Sequence, residues 1–137
     1  MRISQKLEYA FRALAQLAKS YDRLTITRLD EIAQREAVSA NFLVQILNDL
    51  RKNGLIVSKR GKMGGYLLSK SPNSITLRDI IEAIEPTLLD ETVSKKGESG
   101  EQFVQVWNTI SNSFSKELEK ITLDQLIAGP SGDMFYI

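Results

Sequence analysis

The sequence predicts a mainly α fold with one small β-hairpin and a long helix near its end. Three observations carry that expectation. Apolar residues recur at helical spacing, at Leu7, Leu14 and Leu17 early in the chain and at Phe103, Trp107, Ile110 and Phe114 late in it. Two short β-rich runs, Leu55-Ile56-Val57 and Tyr66-Leu67-Leu68, flank a glycine-rich stretch. The chain has 137 residues, 42% apolar and 26% charged, the size and composition of one ordinary globular domain.

Each element follows from local pattern. Ile3, Leu7, Phe11, Leu14, Leu17 and Tyr21, with Ala10 and Ala18 beside them, define an amphipathic first helix of about five turns. Thr25-Ile26-Thr27 leads into a short second helix, and Thr27 with Asp30 three residues on has the pattern of a capping pair. Ala37-Val38 breaks that helix. Ser39 is a good N-cap for a third helix running to about Asn53, and Gly54 supplies the left-handed residue after its end. The hairpin comes next, its strands joined by Ser58-Lys59-Arg60-Gly61-Lys62-Met63-Gly64-Gly65. After the turn Ser71-Pro72-Asn73-Ser74, Thr76 with Asp79 caps a fourth helix with the stripe Leu77, Ile80, Ile81 and Ile84, and Pro86 ends it. Residues 89–101 are polar with two glycines and read as a loop. The long helix extends from Gln102 to about Lys120. A last short helix begins near Thr122 and is broken by Gly129-Pro130-Ser131-Gly132. The expected division is therefore residues 1–86, a flexible loop over 87–101, and a helix with a tail over 102–137.

Composition excludes several chemistries. The chain contains no cysteine and no histidine. That rules out disulfides, thiol switches, cysteine-ligated clusters, zinc fingers and histidine acid–base catalysis. No nucleophile–base pair stands out, so no catalytic residue, metal ligand or cofactor is expected and an enzyme reading is disfavoured. No apolar run approaches the roughly 20 residues that span a bilayer, and Met1-Arg2-Ile3-Ser4-Gln5-Lys6 lacks the apolar core of a signal peptide.

Net charge misleads when taken whole. With 18 basic and 17 acidic residues it is +1, which by itself argues against a polyanion partner. Residues 1–80, however, carry 14 Lys/Arg against 7 Asp/Glu, a balance of +7, and residues 81–137 carry 4 against 10, a balance of −6. Such asymmetry suggests that one part meets a polyanion and the other does not.

The order helix, helix, turn, helix, hairpin is that of a winged helix-turn-helix, with the third helix placed to read DNA. Its apolar stripe is Leu43, Ile46, Leu47 and Leu50. At 100° per residue the opposite face holds Asn41, Gln45, Asn48 and Lys52. Asn and Gln pair with adenine, and Lys meets guanine or phosphate. Lys59, Arg60 and Lys62 sit on the glycine-rich loop, where an Arg can enter a narrow minor groove. The same loop lacks the GxxxxGK[ST] pattern and joins two strands, so nucleotide binding is disfavoured. Arg2, Lys6 and Thr27 are candidates for phosphate contacts. A helix of about 19 residues spans roughly 28 Å, longer than one small winged domain needs. Its stripe of Phe103, Trp107, Ile110 and Phe114 fits a two-fold interface.

The run Leu50-Arg51-Lys52-Asn53-Gly54-Leu55-Ile56, followed by Arg60-Gly61 and Gly64-Gly65-Tyr66-Leu67-Leu68, resembles the Rrf-type winged-helix repressors. Met1-Arg2-Ile3-Ser4, Ser39-Ala40-Asn41-Phe42-Leu43, Ile75-Thr76 and Ile121-Thr122-Leu123 fit as well, so the resemblance covers essentially the whole chain. It implies a cytoplasmic bacterial transcription regulator, a homodimer whose long helix crosses its partner. Carried over residue by residue, it singles out Ser39, Asn41, Gln45, Ser58 and Arg60 as DNA contacts.

Two departures matter. Several cluster-binding members carry a Glu where this chain has Val44. Val cannot accept a proton from cytosine, though it can touch a thymine methyl. Those members also place three cysteines within the segment that is 88–101 here, and this chain has none. The tail Met134-Phe135-Tyr136-Ile137 resembles that of the family's cysteine-metabolism repressor, which implies cysteine synthase as a partner. The leading expectation is thus a dimeric, cluster-free repressor of sulfur or cysteine genes on a palindromic operator. The rival is a dimeric interaction module that binds a metabolic enzyme through its tail and has little DNA specificity.

Overall fold

A computed structural model describes residues 2–22, 24–90 and 93–128. Among these residues six α-helices and one hairpin occur in the order α1 (Gln5–Lys19), α2 (Leu29–Glu36), α3 (Ala40–Lys52), β1 (Ile56–Lys59), β2 (Gly65–Leu68), α4 (Leu77–Ile84), α5 (Gly100–Lys120) and α6 (Leu123–Ala128). Two short 3₁₀ turns, Pro72–Ser74 and Pro86–Leu89, flank α4. This is the mainly α fold with a small hairpin that the residue pattern predicts. Among the described residues no helix is long and apolar enough to cross a membrane.

The core forms where the apolar stripes of α1, α3 and α4 converge. Leu7, Leu14, Leu43, Ile46, Leu47, Leu50, Ile80 and Leu123 are all wholly buried. Each such side chain contributes about 1.5–3 kcal/mol relative to exposure. The buried side of α1 is narrower than the expected stripe: Ile3 is 40% exposed and precedes the helix, while Phe11 and Tyr21 are only half-buried. Ser4 caps α1 by accepting from the Leu7 N–H, so the helix starts later and is about a turn shorter than the spacing suggests.

Helix ends follow local chemistry, with one exception. Gly54 has φ +79°, as the end of α3 requires. Thr76 and Asp79 form a reciprocal capping box at the start of α4. The expected cap at Thr27 does not form. Arg28 is the N-cap residue of α2 and makes no side-chain capping bond. Thr27 lies one residue too early because its backbone is held extended: its N–H donates to the Tyr66 carbonyl (2.9 Å) and its carbonyl accepts from the Tyr66 N–H (2.8 Å).

The hairpin is antiparallel, pairing Ile56 with Leu68, Val57 with Leu67, Ser58 with Tyr66 and Lys59 with Gly65. Ser58 and Lys59 are therefore strand residues, and the loop expected to carry them is confined to Arg60–Gly64. The expected loop over 87–101 begins with a 3₁₀ turn, and α5 starts at Gly100, two residues before the predicted Gln102. Past α5 the chain returns to the winged domain. Thr122 bridges Thr76, the Leu123 N–H donates to the Ile75 carbonyl (2.8 Å), and α6 packs on α1. The 102–137 stretch therefore includes a segment that completes the winged domain's core.

Candidate nucleic-acid interface

The third helix presents polar residues because its apolar ones are committed to the interior. With Leu43, Ile46, Leu47 and Leu50 buried, Asn41, Gln45 and Lys52 are exposed, and Val44 and Asn48 are half-buried along the same outer side. Ser39 stands exposed at the N-cap of α3, and its hydroxyl makes no capping hydrogen bond. The wing exposes Ser58, Lys59, Arg60 and Lys62. Arg2 is exposed ahead of α1.

Several cations elsewhere are engaged by carboxylates. Arg12 pairs with Glu8, Arg35 with Glu31, and Lys120 with Glu117. Arg78 reaches both Glu82 on its own helix and Glu119 on α5, and the hydrogen bonds to Glu119 and then Glu82 hold its pKa above the ordinary arginine value. Among the described residues Lys59, Arg60 and Lys62 have no carboxylate partner. The basic balance of residues 1–80 is thus left uncompensated at the wing.

Two of the candidate phosphate contacts are placed differently from expectation. Lys6 is not a free cation, because its Nζ lies 2.6 Å from Asp49 Oδ2 on α3. Thr27 is 5% exposed, and both its backbone groups are engaged by Tyr66, so neither is open to a phosphate. The neighbouring Arg28, which the sequence reading did not single out, is exposed beside the wing. Its Nη1 donates to the Lys62 carbonyl (3.3 Å), and its Nε lies 3.5 Å from Asp30 Oδ1. Nothing in the local pattern marks it, because its partner lies across the fold in the wing.

Two of the wing glycines are required by close packing. A Cβ on Gly64 would lie 2.3 Å from the Lys59 carbonyl oxygen, and one on Gly65 would lie 2.5 Å from that of Thr27. Both glycines let the wing pack on itself and on the extended segment before α2.

The long helix exposes the residues expected at a dimer interface. Phe103 is 53% exposed, Trp107 39% and Ile110 51%, with Val106 beside them, and Phe114 is half-buried against the core. Phe103 and Trp107 stack with ring centroids 6.2 Å apart. The tail residues Met134, Phe135, Tyr136 and Ile137 lie outside the described residues.

Buried helices, an outward polar recognition helix and a cationic hairpin define a winged helix-turn-helix protein. Comparison with known proteins gives the family. The Rrf2 family, described as an iron-dependent transcriptional regulator, matches residues 3–129, and the chain belongs to it. The regulator CymR of Bacillus subtilis is 33% identical over the full length of both chains. The regulator IscR of Pectobacterium carotovorum is 34% identical, covering 93% of this chain and 79% of the relative. The solved structure of B. subtilis CymR, described as the global cysteine regulator of that organism, superposes with a TM-score of 0.81 at 31% identity, over 96% of this chain and 99% of the other.

The family's description as iron-dependent raises the question whether this chain's residues fit an iron–sulfur cluster. Protein ligation of an iron–sulfur cluster uses thiolates or imidazoles, and the chain has no cysteine or histidine. Among the described residues no group of three or more acidic side chains is placed to hold a metal. The donor set does not fit the group.

Proposed function

We propose that this chain is a dimeric, sequence-specific DNA-binding repressor that works without an iron–sulfur cluster of its own. The observation that carries the reading is electrostatic. The wing cations Lys59, Arg60 and Lys62 lack carboxylate partners among the described residues, whereas Lys6, Arg12, Arg35, Arg78 and Lys120 are paired. Asn41, Gln45 and Ser39 supply donors and acceptors for base edges and phosphates, and Val44 an apolar contact. Dimerisation through the exposed face of α5 would set two recognition helices about 34 Å apart on a palindrome, with the wings at flanking minor grooves. Bound there, the dimer would block access to the operator.

The full-length match to CymR supports sulfur or cysteine metabolism genes as targets. In the same reading the segment Met134–Ile137 engages cysteine synthase through its apolar side chains. Binding to duplex DNA selected from a random pool tests the core of the proposal. Arg60→Ala and Asn41→Ala are each expected to cost about 1–3 kcal/mol in affinity. Unchanged binding by the double variant would refute sequence-specific reading. Removing Phe135–Ile137 is expected to spare DNA binding and abolish co-purification with cysteine synthase.

A further inference from the structure

The wing and the start of α2 border an open cleft of about 450 Å³ whose lining includes Arg28, Asp30, Ser58, Lys59, Arg60 and Tyr66. Three cations face one carboxylate. Asp30 holds Arg28 only loosely, at 3.5 Å with both side chains more than half exposed, and Lys59 and Arg60 have no acidic partner among the described residues. The walls are fixed by backbone rather than by flexible side chains. The paired hydrogen bonds between Thr27 and Tyr66 join them, and Gly64 and Gly65 permit the close approach. Arg28 is itself tied to the far wall through the Lys62 carbonyl. A guanidinium has five N–H donors in a planar fork, so two engaged donors leave others to grip a tetrahedral anion.

We propose that this cleft seats one phosphate of the DNA backbone, with Arg28 as its principal ligand and Lys59 and Arg60 completing the charge. The inference rests on the DNA-binding reading above. It adds a sequence-independent clamp where α2 meets the wing.

The test measures binding of the full chain to a mixed-sequence duplex of about thirty base pairs, room for two half-sites. Fluorescence anisotropy is recorded from about 50 to 200 mM sodium chloride. Arg28→Ala is expected to weaken binding and to flatten the slope of log affinity against log salt by about 0.9 for each phosphate no longer neutralised, so by roughly twice that for a dimer. Arg28→Lys, which keeps the charge, is expected to restore most of the slope. If Arg28 only braced the wing, Arg28→Ala would weaken binding with an unchanged slope, and that result overturns the assignment. Equal affinity and slope overturn it too, while leaving the repressor reading intact. A wild-type chain that binds no duplex at all removes both. Inorganic phosphate, added at constant ionic strength, is expected to leave the melting temperature unmoved. A shift in wild type that Arg28→Ala abolishes would make the cleft a site for free phosphate instead of DNA.

Discussion

Thr27 and Tyr66 exchange both backbone hydrogen bonds, at 2.9 and 2.8 Å, and so fasten the wing to the extended segment that precedes α2. The contact is possible only because Gly65, next to Tyr66, has no Cβ to meet the Thr27 carbonyl. Gly65→Ala is therefore expected to destabilise the fold by about 1–3 kcal/mol, the cost of forcing an atom into a packed site. Urea denaturation would read that loss as a lower midpoint, and an unchanged midpoint would mean that the wing is not seated here.

Lys6 is paired with Asp49 across α1 and α3. The two side chains are each about a third or more exposed, so the pair's contribution to stability is small, about 0–1 kcal/mol. Its larger effect is on charge. Asp49→Asn should leave the unfolding midpoint nearly unchanged while raising DNA affinity and steepening its salt dependence, because a cation is released on the DNA-reading domain. Salt-dependent anisotropy checks this, and a flatter slope would contradict it.

The capping box at α4 is a stability device legible in sequence and present in the fold. Thr76→Ala removes the acceptor for the Asp79 N–H and leaves the return bond from the Thr76 N–H to Asp79 without its reciprocal partner. A loss of about 1 kcal/mol is expected, measured by chemical denaturation.

The exposed face of α5 makes the dimer testable. Trp107→Glu combined with Ile110→Glu would bury two charges in the proposed interface and none in the monomer, since both residues are exposed there. Sedimentation is expected to show half the wild-type mass with helical content retained. A dimer that survives both charges would place the interface elsewhere.

Asp22 gives an acid limb to stability. The Thr25 hydroxyl, then the N–H groups of Thr25 and Leu24, donate to its carboxylate and hold its pKa below the ordinary value. A depressed folded pKa stabilises above the unfolded value and is lost as pH falls through the folded one. Asp22→Asn should therefore reduce the fall in stability between about pH 5 and pH 2. Parallel urea midpoints for both proteins across that range check it.

The sequence by itself determined the order of the elements, the buried stripe of α3, the left-handed Gly54, the Thr76 cap and the lack of any thiolate or imidazole. These depend on periodicity, on backbone preference or on composition, all of which are local. Only the tertiary structure decided which cations remain free. Lys6 and Arg60 look alike in the chain, but helix packing sets Lys6 against Asp49, whereas Arg60 on the hairpin makes no ion pair among the described residues. It also decided that Thr27 is a bridge partner rather than a cap, that α6 closes back onto α1, and that Arg28 faces the wing. In each case the partner is remote in sequence. Such pairings arise when burial of the core fixes how the elements meet, and that geometry has no signature in residue spacing.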